Sequence, residues 1–350
     1  MRNKNAECRN IFVALIVALL LAFAGCNAAS APALTITGDC EGYSLTANAS
    51  LGEAIALAGP RAEEFDILLV GGDGLIARIS GEDMDGCELV YSEENAWEVK
   101  SELHPRSVRV KELALVAVVR SASEETWNLL RLLKEEGTST KNGRGVTVYT
   151  TRMITEAYHD ALRFLGQGER VMIVELDGLG WEMLQRAEAP YMKALEPGRA
   201  MAAYPPDSKT GLAALLHIDG DTDLFTAAQA LGKTCAYIEG SHVPVGSGLR
   251  PVLSISDEEV YTNAREALKD SPDLIFAHFH GIDDIAQDYG PYARETRDKI
   301  EEIDDYVRVL VEGFDGRVVI TADHGLHETE EGGAHGVFLA EDMIVPYIVK

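Results

Sequence analysis

The pattern of apolar and polar residues differs between the two halves of the chain. In the first half, short apolar runs bounded by Gly and Asp turns predict strands at 34–38, 65–71, 74–80 and 112–120. A helical pattern then covers 122–136, with Ser121 or Ser123 as its N-cap, and a polar loop is expected at 137–145. These signals predict a smaller β-rich domain at 26–150.

From about residue 165 onward, apolar strand patterns alternate with helical ones. Strands are predicted at 170–176, 234–238, 274–279 and 317–321, and helices at 182–195, 212–216, 258–269 and 292–313. This alternation predicts an α/β domain at 151–350 with a mostly parallel sheet. In such sheets, ligands gather beyond the carboxyl ends of the strands.

The N-terminus has the pattern of an export signal. Basic residues precede an apolar run at 11–24, which is short for a transmembrane helix. The residues Phe23-Ala24-Gly25-Cys26 resemble the lipobox of bacterial lipoproteins. We therefore expect a signal peptide at 1–25, a lipid on Cys26 and a location on the extracytoplasmic face of the cell membrane. An uncleaved anchor and ordinary secretion are the alternatives.

Charge and cysteine content narrow the possible partners. The 350 residues carry a formal net charge of −26, which disfavours binding to nucleic acid. An anionic substrate would then need local positive charge, which bound metal ions supply. Cys40 and Cys87 could pair in an oxidising compartment, and no Cys/His cluster indicates a structural zinc site.

Potential metal ligands follow three of the predicted strands. They are Asp177, Asp283, the pair Asp323-His324 and, in a later glycine-rich segment, His335. Carboxylates and imidazoles are common ligands of divalent ions, and a two-metal site needs several of them at one point. Strands of one parallel sheet bring their carboxyl ends to such a point.

These motifs in this order resemble the alkaline phosphatase superfamily, and most of all its nucleotide pyrophosphatase/phosphodiesterase branch. The resemblance covers about residues 165–345 and rests on Asp177-Gly178, Pro205-Pro206-Asp207-Ser208-Lys209-Thr210, Asp283 with Tyr289-Gly290-Pro291, Asp323-His324-Gly325 and His335-Gly336. It implies an alkaline phosphatase-like α/β/α sandwich. The family nucleophile is a Thr followed, after eight residues, by Thr-Gly. Thr210 has Asp219-Gly220 at that spacing, which favours Thr210 over Ser208 as the nucleophile.

The resemblance implies a metal-dependent phosphoric ester hydrolase, either a phosphodiesterase or a phosphomonoesterase, that acts on a small phosphate ester through a phosphothreonine. Two divalent ions are expected, with zinc first and manganese or magnesium as alternatives. Asp177, Asp323, His324 and Thr210 would bind one ion. Asp283, His335 and one further ligand would bind the other.

One position departs from the family pattern. The family has Asp-x-x-x-His before its Tyr-Gly-Pro, whereas Asp283 is followed at that spacing by Gln287. Asp288, His278 or His280 could replace the missing ligand. Two other functions therefore stay open: a lipoprotein that binds a ligand or partner without catalysis, and a transferase of phosphorylated head groups.

Overall fold

The structure is a computed structural model that describes residues 33–40, 42–57, 65–84, 86–92, 96–101, 110, 112–121, 123–141, 144–220, 222–240 and 248–350. The predicted signal peptide and Cys26 lie outside these ranges. Within them, no helix has the length and apolar character that crossing a membrane requires.

The first half of the chain forms two antiparallel-rich sheets. Its strands are β1 (Leu34–Gly38), β2 (Tyr43–Leu45), β3 (Ala49–Ser50), β4 (Phe65–Gly71), β5 (Leu75–Ser80), β6 (Cys87–Tyr91), β7 (Trp97–Ser101), β8 (Leu113–Arg120), β9 (Lys134–Lys141) and β10 (Arg144–Thr150). Seven of them pair in the order β2-β1-β8-β4-β5-β10-β9, and β3, β6 and β7 form a smaller sheet. Helices α1 (Leu51–Leu57) and α2 (Glu124–Leu130) connect the strands.

Two predictions for this half are wrong. The helix expected at 122–136 is shorter and corresponds to α2. It begins after Ser123 and not after Ser121, since Ser123 accepts a hydrogen bond from the Thr126 amide, and it ends at Leu130 because β9 begins at Lys134. The loop expected at 137–145 is largely strand, since β9 and β10 pair antiparallel there. Among the described residues Cys40 keeps a free thiol, so the disulfide considered between Cys40 and Cys87 is not formed.

The second half is a layered α/β structure. Its strands are β11 (Arg152–Met153), β12 (Val171–Leu176), β13 (Gly198–Met201), β14 (Cys235–Glu239), β15 (Val252–Leu253), β16 (Leu274–Phe279), β17 (Arg317–Thr321), β18 (His327–Glu328), β19 (Gly333–Ala334) and β20 (Ile344–Val349). Its helices are α3 (Glu156–Gly166), α4 (Trp181–Arg186), α5 (Pro190–Ala194), α6 (Ser208–Leu216), α7 (Leu224–Ala230), α8 (Asp257–Asp270), α9 (Gly281–Tyr289), α10 (Arg294–Gly313) and α11 (Ala340–Met343). The helix expected at 182–195 is broken into α4 and α5, and Pro190 begins the second piece.

The main sheet of this half confirms the predicted fold class. Its order is β11-β13-β20-β17-β12-β16-β14-β15. Every neighbouring pair is parallel except those of β20, which runs antiparallel to β13 and β17. The central strands β12 and β16 are buried along their whole length, as strands covered by helices on both faces must be.

The two halves share an apolar core. Leu115, Leu129 and Tyr149 of the first half pack in one cluster with Met201, Phe338 and other residues of the second half. The Thr37 and Tyr204 hydroxyls also hydrogen-bond across this contact. The β-rich half therefore packs directly on the segments at 201–204 and 338–344. The domain boundary near residue 150 stays a prediction.

Candidate active site

The candidate site lies at the carboxyl ends of three adjacent parallel strands. β12 pairs with β16 on one side and with β17 on the other. Asp177 follows β12, His280 follows β16, and Ala322 separates β17 from Asp323 and His324. Because the strands are parallel, these side chains meet at one edge of the sheet.

Asp177, Asp323 and His324 form a first ligand group. One ligand atom from each lies within 4.8 Å of the others, and all three residues are completely buried. The backbone amides of Gly178 and His324 donate to Asp323 Oδ1, at 3.2 and 2.8 Å. Asp323 Oδ2 is buried and has no hydrogen-bond partner among the described residues. A buried carboxylate oxygen of this kind is costly unless a cation or donor meets it, so the group fits a metal ion.

Asp283, His335 and again His324 form a second ligand group on the same criterion. Asp283 is in the first turn of α9, and its Oδ1 is also buried without a hydrogen-bond partner in the described part of the chain. His335 donates from Nδ1 to the Pro206 carbonyl at 3.1 Å, which leaves its Nε2 as a lone-pair donor. That nitrogen is 3.9 Å from Asp283 Oδ1. This group also fits a cation.

Gln287 occupies the position that departs from the family pattern. It lies one turn after Asp283 on α9, and its Nε2 donates to Asp283 Oδ2 at 2.5 Å. The same nitrogen is 3.5 Å from His335 Nε2. The Gln287 amide thus lies between the two predicted ligands of the second ion, where the family has an imidazole.

The hydroxyl that faces the ligands is that of Ser208. Ser208 Oγ is 3.3 Å from Asp177 Oδ1 and 3.2 Å from His324 Nε2. The His324 ring donates from Nδ1 to the Gly325 carbonyl, so its Nε2 is free to accept from Ser208. The Thr210 hydroxyl has no hydrogen-bond partner within the described ranges, and the Thr210 backbone amide donates to the Asp207 side chain that caps α6.

The phase of α6 explains this difference. Residues three apart share a helix face, whereas residues two apart point about 160° apart around the helix axis. Gly211, three residues after Ser208, lies so close to Asp323 that an added Cβ would be 2.5 Å from the Asp323 Cβ. The face with Ser208 and Gly211 therefore rests on the ligands. Thr210 projects from the other side of the helix.

A row of buried ionisable residues lies beneath the ligands. Glu239, His278 and Glu175 are register partners on β14, β16 and β12, and all are completely buried. His278 Nδ1 is 2.5 Å from Glu239 Oε1, and His278 Nε2 is 2.9 Å from Glu175 Oε2 and 3.2 Å from Asp177 Oδ2. His278 is therefore engaged on both ring nitrogens and is not placed to bind the second ion.

The other replacement ligands differ in position. His280 contacts Asp177 Oδ2 through Nδ1 at 2.5 Å and lies 3.5 Å from Asp284 through Nε2. His280, Asp283 and Asp284 form a further group of possible ligands. Asp288 is exposed on α9. His280 also lines a cavity of about 230 Å³ beside the site, together with Ser256, Asp257 and Lys299.

The electrostatics of the ligands suit a cation. Burial raises the pKa of Asp283 to about 7, and the neighbouring charge of Asp177 adds to the shift. Burial also raises the pKa of Asp323. For Asp177, hydrogen bonds from His278 and His280 outweigh burial and lower the pKa. Burial, helped by the neighbouring His324, lowers the pKa of His335 and keeps it neutral.

Part of the chain matches a family of known proteins. Residues 241–345 match the family of type I phosphodiesterases and nucleotide pyrophosphatases. This range contains Asp283, Asp323, His324 and His335, and it begins after Asp177 and Ser208. The match confirms the resemblance to the alkaline phosphatase superfamily, whose members are phosphoric ester hydrolases, sulfatases or transferases.

Individual relatives resemble shorter stretches or the general shape. A GPI ethanolamine phosphate transferase 1 from Neurospora crassa is 34% identical over 91 residues, which is 24% of this chain and only 9% of that protein. Murine ectonucleotide pyrophosphatase/phosphodiesterase 5 is 16% identical over 47% of this chain and 59% of its own, with a TM-score of 0.40. The C-terminal periplasmic domain of EptC from Escherichia coli is 13% identical over 52% of this chain and 72% of its own, with a TM-score of 0.39.

Proposed function

We propose that this protein is a metal-dependent phosphoric ester hydrolase, a phosphodiesterase or phosphomonoesterase, whose nucleophile is Ser208. The observation that carries the proposal is the position of the Ser208 hydroxyl, which lies against Asp177 and His324 at the first turn of α6. Thr210, which the family spacing favours, is the second candidate. It would need α6 to rotate before its hydroxyl could face the ligands.

We assign the residues of the two ligand groups to two divalent ions. Asp177, Asp323 and His324 would bind the first ion, and Asp283, His335 and Gln287 or His324 would surround the second. When bound, such ions stabilise negative charge on the phosphoryl oxygens and on the attacking and leaving oxygens. Zinc suits the first group, because it combines imidazole and carboxylate ligands. The amide of Gln287 makes manganese or magnesium a closer competitor at the second.

The residues of the chain carry the chemical steps as follows. Ser208 Oγ, which lies against Asp177 and His324, gives up its proton to water and attacks phosphorus. The bond between phosphorus and the ester oxygen breaks, and that oxygen takes up a proton from water and leaves as the alcohol. The product of this step is a phosphoserine on α6. Water then attacks the same phosphorus and releases phosphate, or a phosphate monoester, together with the free Ser208 hydroxyl. The cavity beside His280 is the space that we assign to the organic group of the ester.

A transferase of phosphorylated head groups is the second candidate. The similarity that favours it is the 91-residue match to the GPI ethanolamine phosphate transferase. The same phosphoserine would serve, with an acceptor alcohol replacing water in the second step. A ligand-binding protein without catalysis is the third, and the feature that favours it is Gln287.

We also propose that the protein works at the extracytoplasmic face of the membrane, anchored by a lipid on Cys26, and does not bind nucleic acid. The supporting observations are the sequence pattern at residues 1–26 and the net charge of −26. Mass spectrometry of the mature N-terminus tests the anchor. A processed chain that begins at an unmodified residue would rule it out.

The test of function is a joint measurement on the purified chain. Bound metal is quantified, and hydrolysis of p-nitrophenyl phosphate and bis-p-nitrophenyl phosphate is followed with added zinc or manganese. Turnover that depends on metal supports a hydrolase, and the preferred ester separates monoesterase from diesterase. Turnover only with an added acceptor alcohol would support a transferase. Metal binding without turnover on any ester would support the binding protein.

A further inference from the structure

The carboxylate of Asp177 has its two oxygens committed to different neighbours. Asp177 Oδ2 faces the imidazoles of His278 and His280, at 3.2 and 2.5 Å. Asp177 Oδ1 faces Ser208 Oγ at 3.3 Å and His324 Nε2 at 3.4 Å. One oxygen is thus held from the sheet side, and the other points into the site.

His278 has its own orientation fixed from behind. Glu239 Oε1 is 2.5 Å from His278 Nδ1, and Tyr237 donates its hydroxyl to the other oxygen of Glu239. The Tyr237 ring stacks on Phe225, with the centroids 4.9 Å apart. This chain of contacts runs along one face of the buried sheet, from Phe225 of α7 to Asp177.

Burying this row of ionisable side chains lowers the stability of the fold. Burying several ionisable groups costs more than an apolar row of the same volume, so a stable sheet does not need it. Nothing in the strand pattern requires His and Glu here, because the neighbouring positions of β14 and β16 are apolar. The cost is understandable if the row sets the geometry of a ligand, as carboxylate–histidine partners of metal ligands do.

We propose that His278, anchored by Glu239, is a positioning residue that turns the Asp177 carboxylate so that Oδ1 alone faces the first metal ion and Ser208. The inference rests on the proposed function, since it takes Asp177 as a metal ligand. The proposal also means that the group of Asp177, His278 and His280 does not bind an ion of its own, although its ligand atoms are close enough together. The imidazole nitrogens of this group already contact carboxylates.

The test is the affinity of the purified full-length chain for Zn²⁺, measured by competition with a chromophoric chelator. Glu239→Gln keeps the size of the side chain but removes the charge that holds His278. His278→Gln removes the imidazole. Each variant should bind the first Zn²⁺ about tenfold more weakly, the effect typical of lost partners of metal ligands. In the double variant the losses should not multiply, because both substitutions break the same contact chain.

Asp304→Asn is the matched control for a general effect of a buried acid. Asp304 is also buried, accepts hydrogen bonds from the backbone amides of Tyr191 and Met192, and belongs to none of the ligand groups. This variant should lower thermal stability and leave Zn²⁺ affinity unchanged. Comparing the variants at temperatures equally far below their melting points separates stability from affinity.

The outcomes are distinct. Zn²⁺ affinity in Glu239→Gln and His278→Gln equal to that of the wild type would overturn the positioning role while leaving the proposed function standing. Equal losses in Asp304→Asn would overturn it as well, because the effect would then come from the fold. A wild-type chain that binds neither Zn²⁺ nor Mn²⁺ would instead refute the proposed function. Should His278→Gln not fold, the near-isosteric Glu239→Gln decides alone.

Discussion

Replacing Ser208 or Thr210 by Ala gives a direct test of which hydroxyl attacks phosphorus. The two residues lie in the same turn of α6 and differ mainly in the direction of their side chains. Ser208 Oγ contacts Asp177 and His324, whereas the spacing of the family motif favours Thr210. Each variant is therefore the natural control for the other.

The expected effects differ in size. Ser208→Ala removes the attacking oxygen, and loss of a nucleophile lowers turnover by at least about 10³-fold, or about 4 kcal/mol of transition-state stabilisation. Its cost in folding free energy should stay near about 1 kcal/mol, the net contribution of the hydrogen bonds lost. Thr210→Ala keeps the backbone contact with Asp207 and improves helix propensity by about 0.5 kcal/mol, so the variant should fold. Because the Thr210 hydroxyl makes no contact with the ligands, turnover should stay within about threefold of that of the wild type.

Steady-state hydrolysis of the p-nitrophenyl esters measures both variants, and circular dichroism melts check that each is folded. Acid quenching during turnover, followed by mass spectrometry, should find phosphate on the peptide that contains α6, at Ser208. Full activity in Ser208→Ala together with loss in Thr210→Ala would refute the assignment and restore Thr210. Loss of activity in both folded variants would show that the phase of α6 does not discriminate between the hydroxyls.

Three further predictions concern the second ion and the contact between the halves. Gln287→His should restore the family ligand and hold a second Zn²⁺ about tenfold more tightly, as seen by metal analysis after dialysis; no gain would mean that the amide is not what weakens this group. Since burial raises the pKa of Asp283 to about 7, its proton competes with the ion, and Zn²⁺ affinity should fall by about tenfold per unit below about pH 7 in titrations. A flat profile there would contradict the shift. Phe338→Ala should lower the free energy of urea unfolding by about 3 kcal/mol, since Phe338 is buried in the shared core, and should also weaken metal binding through the adjoining loop that carries His335. A melt of two separate transitions without any change in metal affinity would argue against coupling between the halves.

The convergence of Asp177, Asp323 and His324 could be predicted from the sequence because these residues follow parallel strands of the main sheet. A buried apolar run followed by Asp or Asp-His locates a side chain at one edge of a parallel sheet, whatever the register. The inward orientation of Ser208 could not be predicted in this way. The spacing of a motif does not determine where α6 begins, and hence does not determine which of its residues faces the ligands. The cap at Asp207 sets that phase, and it depends on how the preceding segment packs.

The row of Glu239, His278 and Glu175 could not be predicted for a different reason. Its members are far apart in sequence, and only the pairing register of β14, β16 and β12 brings them side by side. A one-residue slip would turn His278 to the other face of the sheet. The pairing of β9 with β10, by contrast, had a local signal in the sequence. Asn142-Gly143 between two Thr-containing segments is typical of a hairpin, whereas the polar composition of 137–145 led to the prediction of a loop.

The two ligand groups differ in their burial and in the contacts that hold their side chains. In the first group, Asp177 and Asp323 are fully buried, and the carboxylate of Asp177 contacts two imidazoles. In the second group, Gln287 beside the ligands is exposed, His335 is 21% exposed, and burial raises the pKa of Asp283 to about 7. The first group should therefore hold its ion under most conditions, whereas the second should depend on pH and metal supply.

This asymmetry bears on the choice between an enzyme and a binding protein. A degraded site that only binds a ligand would have no reason to keep a hydroxyl against Asp177 and His324, or a glycine that lets α6 lie on Asp323. Both features bring the first turn of α6 to the first ligand group, which is where a nucleophile is needed. A pocket that only binds a ligand would not require a hydroxyl at this position. Gln287 contacts Asp283 and His335 of the second group only. We therefore expect measurable catalysis when only the first ion is bound, and higher turnover as added metal fills the second group.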